Sequence, residues 1–201
     1  MLKPAQLYRD KLHKKLVETW YDEKYKYFYD TSGKNEIVLP DNCYYQRCFV
    51  SVDKNENILG YICYTYDDNS SYAKWFGIMC FEDSYCYEFI ADVLRVIDDI
   101  FYKFNLSRIE FQCFAMNPVC NAYRRFIKKY GGREVATLRQ TTKLMDGMFH
   151  DSILFEILFD DLIYPSAEEV FDKFGDIKEI YSKLHYDRLR IDRMMNMEES
   201  K

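Results

Sequence analysis

The chain has 201 residues, 48% of them hydrophobic and 30% charged, with a formal net charge of −5. That apolar content fills one sizeable core and leaves little for a second, and the acidic balance argues against nucleic-acid binding, which needs a basic surface to displace counterions. No run of about 18 uncharged apolar residues occurs, and the opening Met1-Leu2-Lys3-Pro4-Ala5-Gln6 lacks the apolar stretch of a signal peptide, so a cytoplasmic protein with no membrane partner is expected.

Leu7, Leu12, Leu16 and Trp20 stand at near-helical spacing, and the first 30 residues read as helical into the tyrosine-rich stretch ending at Tyr29. Thr31-Ser32-Gly33-Lys34-Asn35 breaks that pattern. After Pro40 the period changes. Tyr44 to Val52, Ile58 to Tyr66 and Tyr72 to Phe81 read as strands, joined by the turn compositions of residues 53–57 and 67–71 into an antiparallel meander.

From Tyr85 to Phe104 the helical period returns, with Phe89, Val93, Ile97, Ile100 and Phe104 on one face; Asp92, Arg95, Asp98, Asp99 and Lys103 are expected to face outward. A second strand-and-helix unit follows, Arg108 to Ala115 and then Val119 to Tyr130, closed by Gly131-Gly132. Arg133 to Leu144 and Met148 to Phe159 flank Asp146-Gly147, a hairpin signal. The domain is expected to span residues 1–162. Pro165, Ser166 and Glu169 then form a capping-box pattern that opens a C-terminal helical extension, residues 163–201. Its apolar stripe (Leu184, Leu189, Ile191, Met194, Met195 and Met197) either packs on the domain or mediates a homodimer.

The seven cysteines, Cys43, Cys48, Cys63, Cys80, Cys86, Cys113 and Cys120, lie mostly in apolar runs and read as reduced thiols packed as small hydrophobes. No Cys-x-x-Cys occurs, and His13, His150 and His185 lack ligand spacing, so no metal is expected. The 19 tyrosines and 15 phenylalanines are read first as half-buried packing residues.

Four segments carry a resemblance. Trp75-Phe76-Gly77-Ile78-Met79 is similar to a central strand that splays from its neighbour; Asn105-Leu-Ser-Arg-Ile109 to a helix-to-strand junction, nine residues before Asn117; Asn121-Ala-Tyr-Arg-Arg-Phe-Ile-Lys-Lys-Tyr-Gly-Gly132 to a helix ending in glycine; and Asp146-Gly147-Met-Phe-His-Asp151 to a hairpin. Their order between Phe49 and Phe159 resembles the GNAT family of acetyl-CoA-dependent N-acetyltransferases, nearest the branch related to ribosomal-protein N-terminal acetyltransferases. The resemblance implies an α/β (α+β) fold with a mixed, mostly antiparallel central sheet flanked by helices. It also implies acetyl-CoA as co-substrate and transfer of acetyl to a primary amine of a protein N-terminus, a lysine or a small molecule.

In that family the turn after the central strand carries Arg/Gln-x-x-Gly-x-Gly/Ala, whose backbone amides close around a pyrophosphate at a helix N-terminus. Here Cys86 and Glu88 stand at the two glycine positions, within Ser84-Tyr85-Cys86-Tyr87-Glu88. Either Glu88 points outward as an ordinary first-turn acid and the amides still hold the cofactor, or the site has closed and the protein is an inactive GNAT-fold binding or regulatory module acting through protein contacts. Gly77, Ile78, Met79, Asn117 and Asn121 complete the implied cofactor contacts. Tyr123, or else Tyr130, is the implied acid on the departing thiolate. Glu82 and Glu110 are candidate bases, acting directly or through water. Arg124, Arg125, Lys128 and Lys129 form either a 3′-phosphate contact or a solvated helix face.

Overall fold

The computed structural model describes residues 1–20, 22–28, 39, 45–67, 69–83, 86–144 and 146–162. The expected C-terminal extension lies outside these, as do Ser84 and Tyr85. Seven strands form one sheet: β1 (Leu2–Pro4), β2 (Gln46–Val52), β3 (Ile58–Asp67), β4 (Tyr72–Cys80), β5 (Arg108–Phe114), β6 (Arg133–Lys143) and β7 (Phe149–Leu158), in the spatial order β1-β2-β3-β4-β5-β7-β6. Every neighbouring pair is antiparallel except β4 with β5. Helix α1 (Arg9–Thr19) covers one face of the sheet; α2 (Tyr87–Asp98) and α3 (Val119–Tyr130) cover the other.

The strands read from the meander form, and β3 sits between two cores. Leu59, Ile62 and Tyr64 point towards α2, where they meet Phe89, Val93, Val96 and Ile97, while Ile58 and Tyr61 point to the opposite side, with Leu12 and Leu16 of α1. Burial on both faces makes the strand a nearly continuous apolar run and fixes its register. A Cβ on Gly60 of β3 would stand 2.3 Å from the Phe89 ring, so α2 packs this closely only over a glycine.

Two expectations are corrected. The opening residues are not helical: Leu2 pairs with Ser51 and Pro4 with Phe49 as an edge strand. Pro4 is extended (φ −60°, ψ 131°), and a residue without an N–H is tolerated at a sheet edge where no donor is needed. The helix begins only after a 3-10 turn at Ala5–Tyr8 and ends at Thr19, whose hydroxyl donates back to the Leu16 carbonyl at 2.7 Å. In α2, Asp92 and Asp98 are buried. Asp92 accepts a hydrogen bond from Ser51 Oγ at 2.7 Å, so a carboxylate on the inner face is met by a hydroxyl of β2. Beyond Asp98 the helix widens into a π-helical turn, Asp99–Lys103.

Candidate functional site

The site begins where a ladder stops. Tyr72 pairs with Arg108 and Ala73 with Ile109, and beyond these residues β4 and β5 carry no further paired residues. β5 instead keeps its full register with β7, from Arg108 opposite Leu158 to Phe114 opposite Ser152. β4 stays with β3 through a bulge: Lys74 lies opposite Thr65, but Gly77 lies opposite Cys63. Trp75, inside that bulge, has φ +54° and is 58% exposed. A left-handed tryptophan is a strained residue held by its surroundings, and the extra residue increases local twist, which bends β4 away from β5.

The splay leaves backbone groups facing an open gap. Phe81 N–H donates to Leu59 O at 2.9 Å. Antiparallel ladders alternate, so residues 81, 79 and 77 are those bonded to β3, and the amides of Ile78 and Cys80 turn towards β5.

A cavity opens on each side of this gap. The one on the α1 face, 220 Å³, is walled by Tyr27, Phe28, Tyr61, Trp75 and Gln112, with Gly77 and Met79 along β4. The one between α2 and α3, 410 Å³, is apolar along Phe89, Ile90 and Val93, with Arg125 and Lys129 among its lining residues. Phe76, Ile78, Val119 and Tyr123 belong to both, so the two spaces meet at those side chains.

Tyr123 stands at the junction. Its ring lies edge-on to Phe111 (5.0 Å between centroids) and Phe155 (5.8 Å), which fixes its direction. Among the described residues its hydroxyl has no hydrogen-bond partner. Burial pushes its acidity well down, with the Cys113, Cys63 and Cys120 thiols adding to the effect, so the phenol keeps its proton at neutral pH. Tyr130, the other candidate acid, sits at the last turn of α3 against Phe126 (4.9 Å) and lines only the cavity between the helices.

The remaining expected residues fall into groups. Asn117 is 4% exposed and lines the α1-face cavity. Its Nδ2 donates to Tyr27 O and its Oδ1 accepts from Val119 N–H, both at 2.9 Å, so the side chain joins the cavity wall to the first amide of α3. Asn121 is exposed and lines neither cavity. Cys86 is the N-cap residue of α2, without a side-chain cap bond; Tyr87 is 50% exposed and Glu88 is exposed in the first helical turn. Glu82 is exposed at the end of β4, and its carbonyl accepts from Lys24 Nζ at 3.0 Å. Glu110 is half-buried and paired with Arg108 at 3.6 Å. Neither glutamate lines either cavity. The basic face of α3 divides: Arg124 is committed to Glu134 through two contacts (2.9 and 3.3 Å), whereas Arg125 and Lys129 face the cavity.

Several wall residues, Tyr27, Phe28, Tyr61 and Gln112 among them, lie outside the segments that carry the resemblance. Gln112 had a signal, since it follows Arg108 and Glu110 at period two on one face of β5. Tyr27 had none, because the approach of residues 22–28 to the gap depends on distant chain; Trp75 opens the segment that resembles a splaying strand, but its bulge was not legible. Among the described residues no group of three His, Cys, Asp or Glu is placed to hold a metal ion, and no helix is long and apolar enough to cross a membrane.

No family model matches the chain, and no curated protein matches its sequence. Solved structures do match. A chimera of the spermidine N-acetyltransferase SpeG from Vibrio cholerae with hSSAT superposes with a TM-score of 0.60 at 18% identity, covering 79% of this chain and 94% of that one. A SpeG point variant from Vibrio cholerae gives 0.56 at 16% identity over the same shares. Another gives 0.50 at 21% identity, with the alignment spanning 58% of this chain and 66% of that one. The chain therefore has the fold of the GNAT acetyltransferases: a mostly antiparallel sheet, flanked by helices, whose one parallel strand pair splays.

Proposed function

We propose that this protein is an acetyl-CoA-dependent N-acetyltransferase acting on a primary amine. The observation that carries the reading is the β4–β5 splay with Tyr123 at the meeting point of two cavities. The residues present suit the co-substrate. The cavity between α2 and α3 offers an apolar channel for a pantetheine arm, and Arg125 and Lys129 offer charge for phosphate. Acetyl-CoA supplies an activated thioester. The Ile78 and Cys80 amides are placed to orient a carbonyl and stabilise its developing negative charge. Tyr27, Phe28 and Trp75 wall off water on the amine side. Tyr123 holds a proton for the departing thiolate. Glu82 and Glu110 stand outside both linings, so either would draw the amine's proton through water.

The acceptor is the finer part of the proposal. The branch that the sequence resembles points to a protein N-terminus, and the names of the structural neighbours point to spermidine. Cys86 and Glu88 in place of the glycines favour a second reading, a binding module without catalysis. Glu88 stands exposed beside a positive helix end, which is compatible with a retained phosphate site.

The test is thermal unfolding with and without acetyl-CoA, followed by assay of CoA release with N-terminal peptides and polyamines. Cofactor at 100 times its dissociation constant adds about 2.7 kcal/mol of stability. No shift at millimolar acetyl-CoA overturns the enzyme; a shift without release of CoA leaves the binding module.

A further inference from the structure

The proposed acid lies beside a feature that acetyl transfer does not use. Cys113, near the end of β5, and Cys120, in the first turn of α3, face each other with their sulfurs 3.0 Å apart. Both are buried, at 5% and 2% exposure. The connection between them is built to hold this approach. Asn117 N–H donates to Phe114 O at 2.9 Å and Cys120 N–H to Asn117 O at 3.0 Å, folding residues 114–120 into a tight turn, and Asn117 Oδ1 fixes Val119 N–H. A disulfide needs about 2.05 Å between sulfurs, so the two sulfurs stand about an ångström beyond bonding distance.

The pair is also reachable. Cys113 lines the α1-face cavity, whereas Cys120 lines neither cavity. Tyr123 follows Cys120 by three residues on the same face of α3, and both thiols are close enough to Tyr123 to influence its ionisation. A covalent tie at Cys120 therefore acts on the turn of helix that carries the acid.

We propose that Cys113 and Cys120 form a modification site, an oxidisable dithiol that a small hydroperoxide, entering through the α1-face cavity, converts to a disulfide. In the first step Cys113 Sγ attacks the peroxide oxygen and the O–O bond breaks. The Cys113 thiol's hydrogen leaves with the departing oxygen, giving water from hydrogen peroxide or an alcohol from an organic peroxide, and Cys113 becomes a sulfenic acid. In the second step Cys120 Sγ attacks the Cys113 sulfur. The S–O bond breaks, and hydroxide leaves with the Cys120 proton as a second water. The two thiols give up two electrons and the peroxide takes them. Burial holds the Cys113 thiol well above its ordinary acidity value, so little thiolate is present and the reaction is slow at neutral pH; the neighbouring sulfur captures the sulfenic acid before further oxidation.

The test uses the full chain, reduced and then treated with hydrogen peroxide until the half-buried Cys86 is consumed. The protein is unfolded in alkylating agent and mapped by mass spectrometry, with and without reduction. The expected result is a peptide joining Cys113 to Cys120, lighter by two hydrogens and released by dithiothreitol. The linked peptide is absent from Cys120→Ala and from Cys113→Ala. Alkylation of both thiols after treatment overturns the proposal, as does Cys113 joined to Cys63 or carried to sulfinic acid with Cys120 still free. This readout does not depend on acetyl transfer. If the acetyltransferase reading holds, oxidation also lowers turnover at least about tenfold, because the acid is displaced, dithiothreitol restores it, and Cys120→Ala is insensitive to peroxide. A linked peptide with unchanged turnover overturns the coupling to Tyr123.

Discussion

Asn117 Nδ2 donates to the backbone carbonyl of Tyr27 across 90 residues of sequence, at 2.9 Å, and so ties the segment that walls the α1-face cavity to the start of α3. The same side chain accepts from the first amide of that helix, Val119 N–H. Replacing it by alanine leaves a part-buried carbonyl and the Val119 amide without this partner, a loss of about 1–3 kcal/mol. Asn117→Ala is expected to unfold at lower urea, to raise KM for the amine, and to keep its thermal shift with acetyl-CoA. An unchanged KM would mean that the side chain serves the fold alone.

Trp75 offers a test of the bulge. At φ +54° a glycine is unstrained and a tryptophan is not. Its indole is more than half exposed, so little burial is lost on removing it. Trp75→Gly is therefore expected to stay within about 1 kcal/mol of the parent, relief of strain offsetting the entropy of glycine. It also removes a wall of the amine-side cavity. Isothermal titration should show weaker acceptor binding at near-unchanged stability. A loss of several kcal/mol would mean that the indole supports the fold.

The elements that the sequence revealed are those governed by near neighbours. The apolar runs of β3 and β4 and the 3.6 period of α2 are properties of runs of about ten residues, and Gly131 ends α3 with φ +96° as its place after Lys129 and Tyr130 suggests. What the sequence concealed depends on residues far apart. Leu2–Pro4 becomes a strand because Phe49–Ser51 offers a ladder, and Asp92 is buried because Ser51 is there to meet it. The same holds at the candidate site. Tyr123 and Asn117 were legible through resemblance to a family pattern. Gln112, Trp75 and Tyr27 come together only once β4 has parted from β5. Cys113 and Cys120 read separately as small hydrophobes, since a spacing of seven across a strand, a turn and a helix has no period of its own.

The β6–β7 hairpin supports the cavity wall from behind, and part of its acid response comes from Asp146 in its turn. Asp146 is held below the ordinary range first by Met148 N–H, at 2.9 Å, and then by His150, whose Nε2 is 2.7 Å from Asp146 Oδ2. The His150 ring in turn packs edge-on against Tyr27, 5.6 Å between centroids. A lowered folded-state value means that the stabilisation is present above the unfolded carboxylate value of about 4 and is lost as pH falls through the lower folded value. Asp146→Asn keeps an acceptor for Met148 N–H but has no charge to lose. In urea unfolding the variant is expected to be the less stable at pH 7, with the difference from the parent shrinking below about pH 4. A difference that stays constant with pH would assign the effect to shape and not to charge.

Tyr123→Phe separates chemistry from packing. The ring contacts with Phe111 and Phe155 survive the change. The lost hydroxyl has no partner among the described residues, so stability should hold within about 0.5 kcal/mol. If Tyr123 donates the proton to the departing thiolate, kcat falls by about 10²- to 10⁴-fold while the thermal shift with acetyl-CoA is unchanged. The pH profile gives a second handle. A raised tyrosine stays protonated through the alkaline range, so the parent's rate should show no loss from this group up to about pH 10. A variant with the parent's kcat would move the role to Tyr130 or to solvent; loss of turnover in Tyr130→Phe, at a residue lining the cavity between the helices, would then assign it to Tyr130, and none would assign it to solvent.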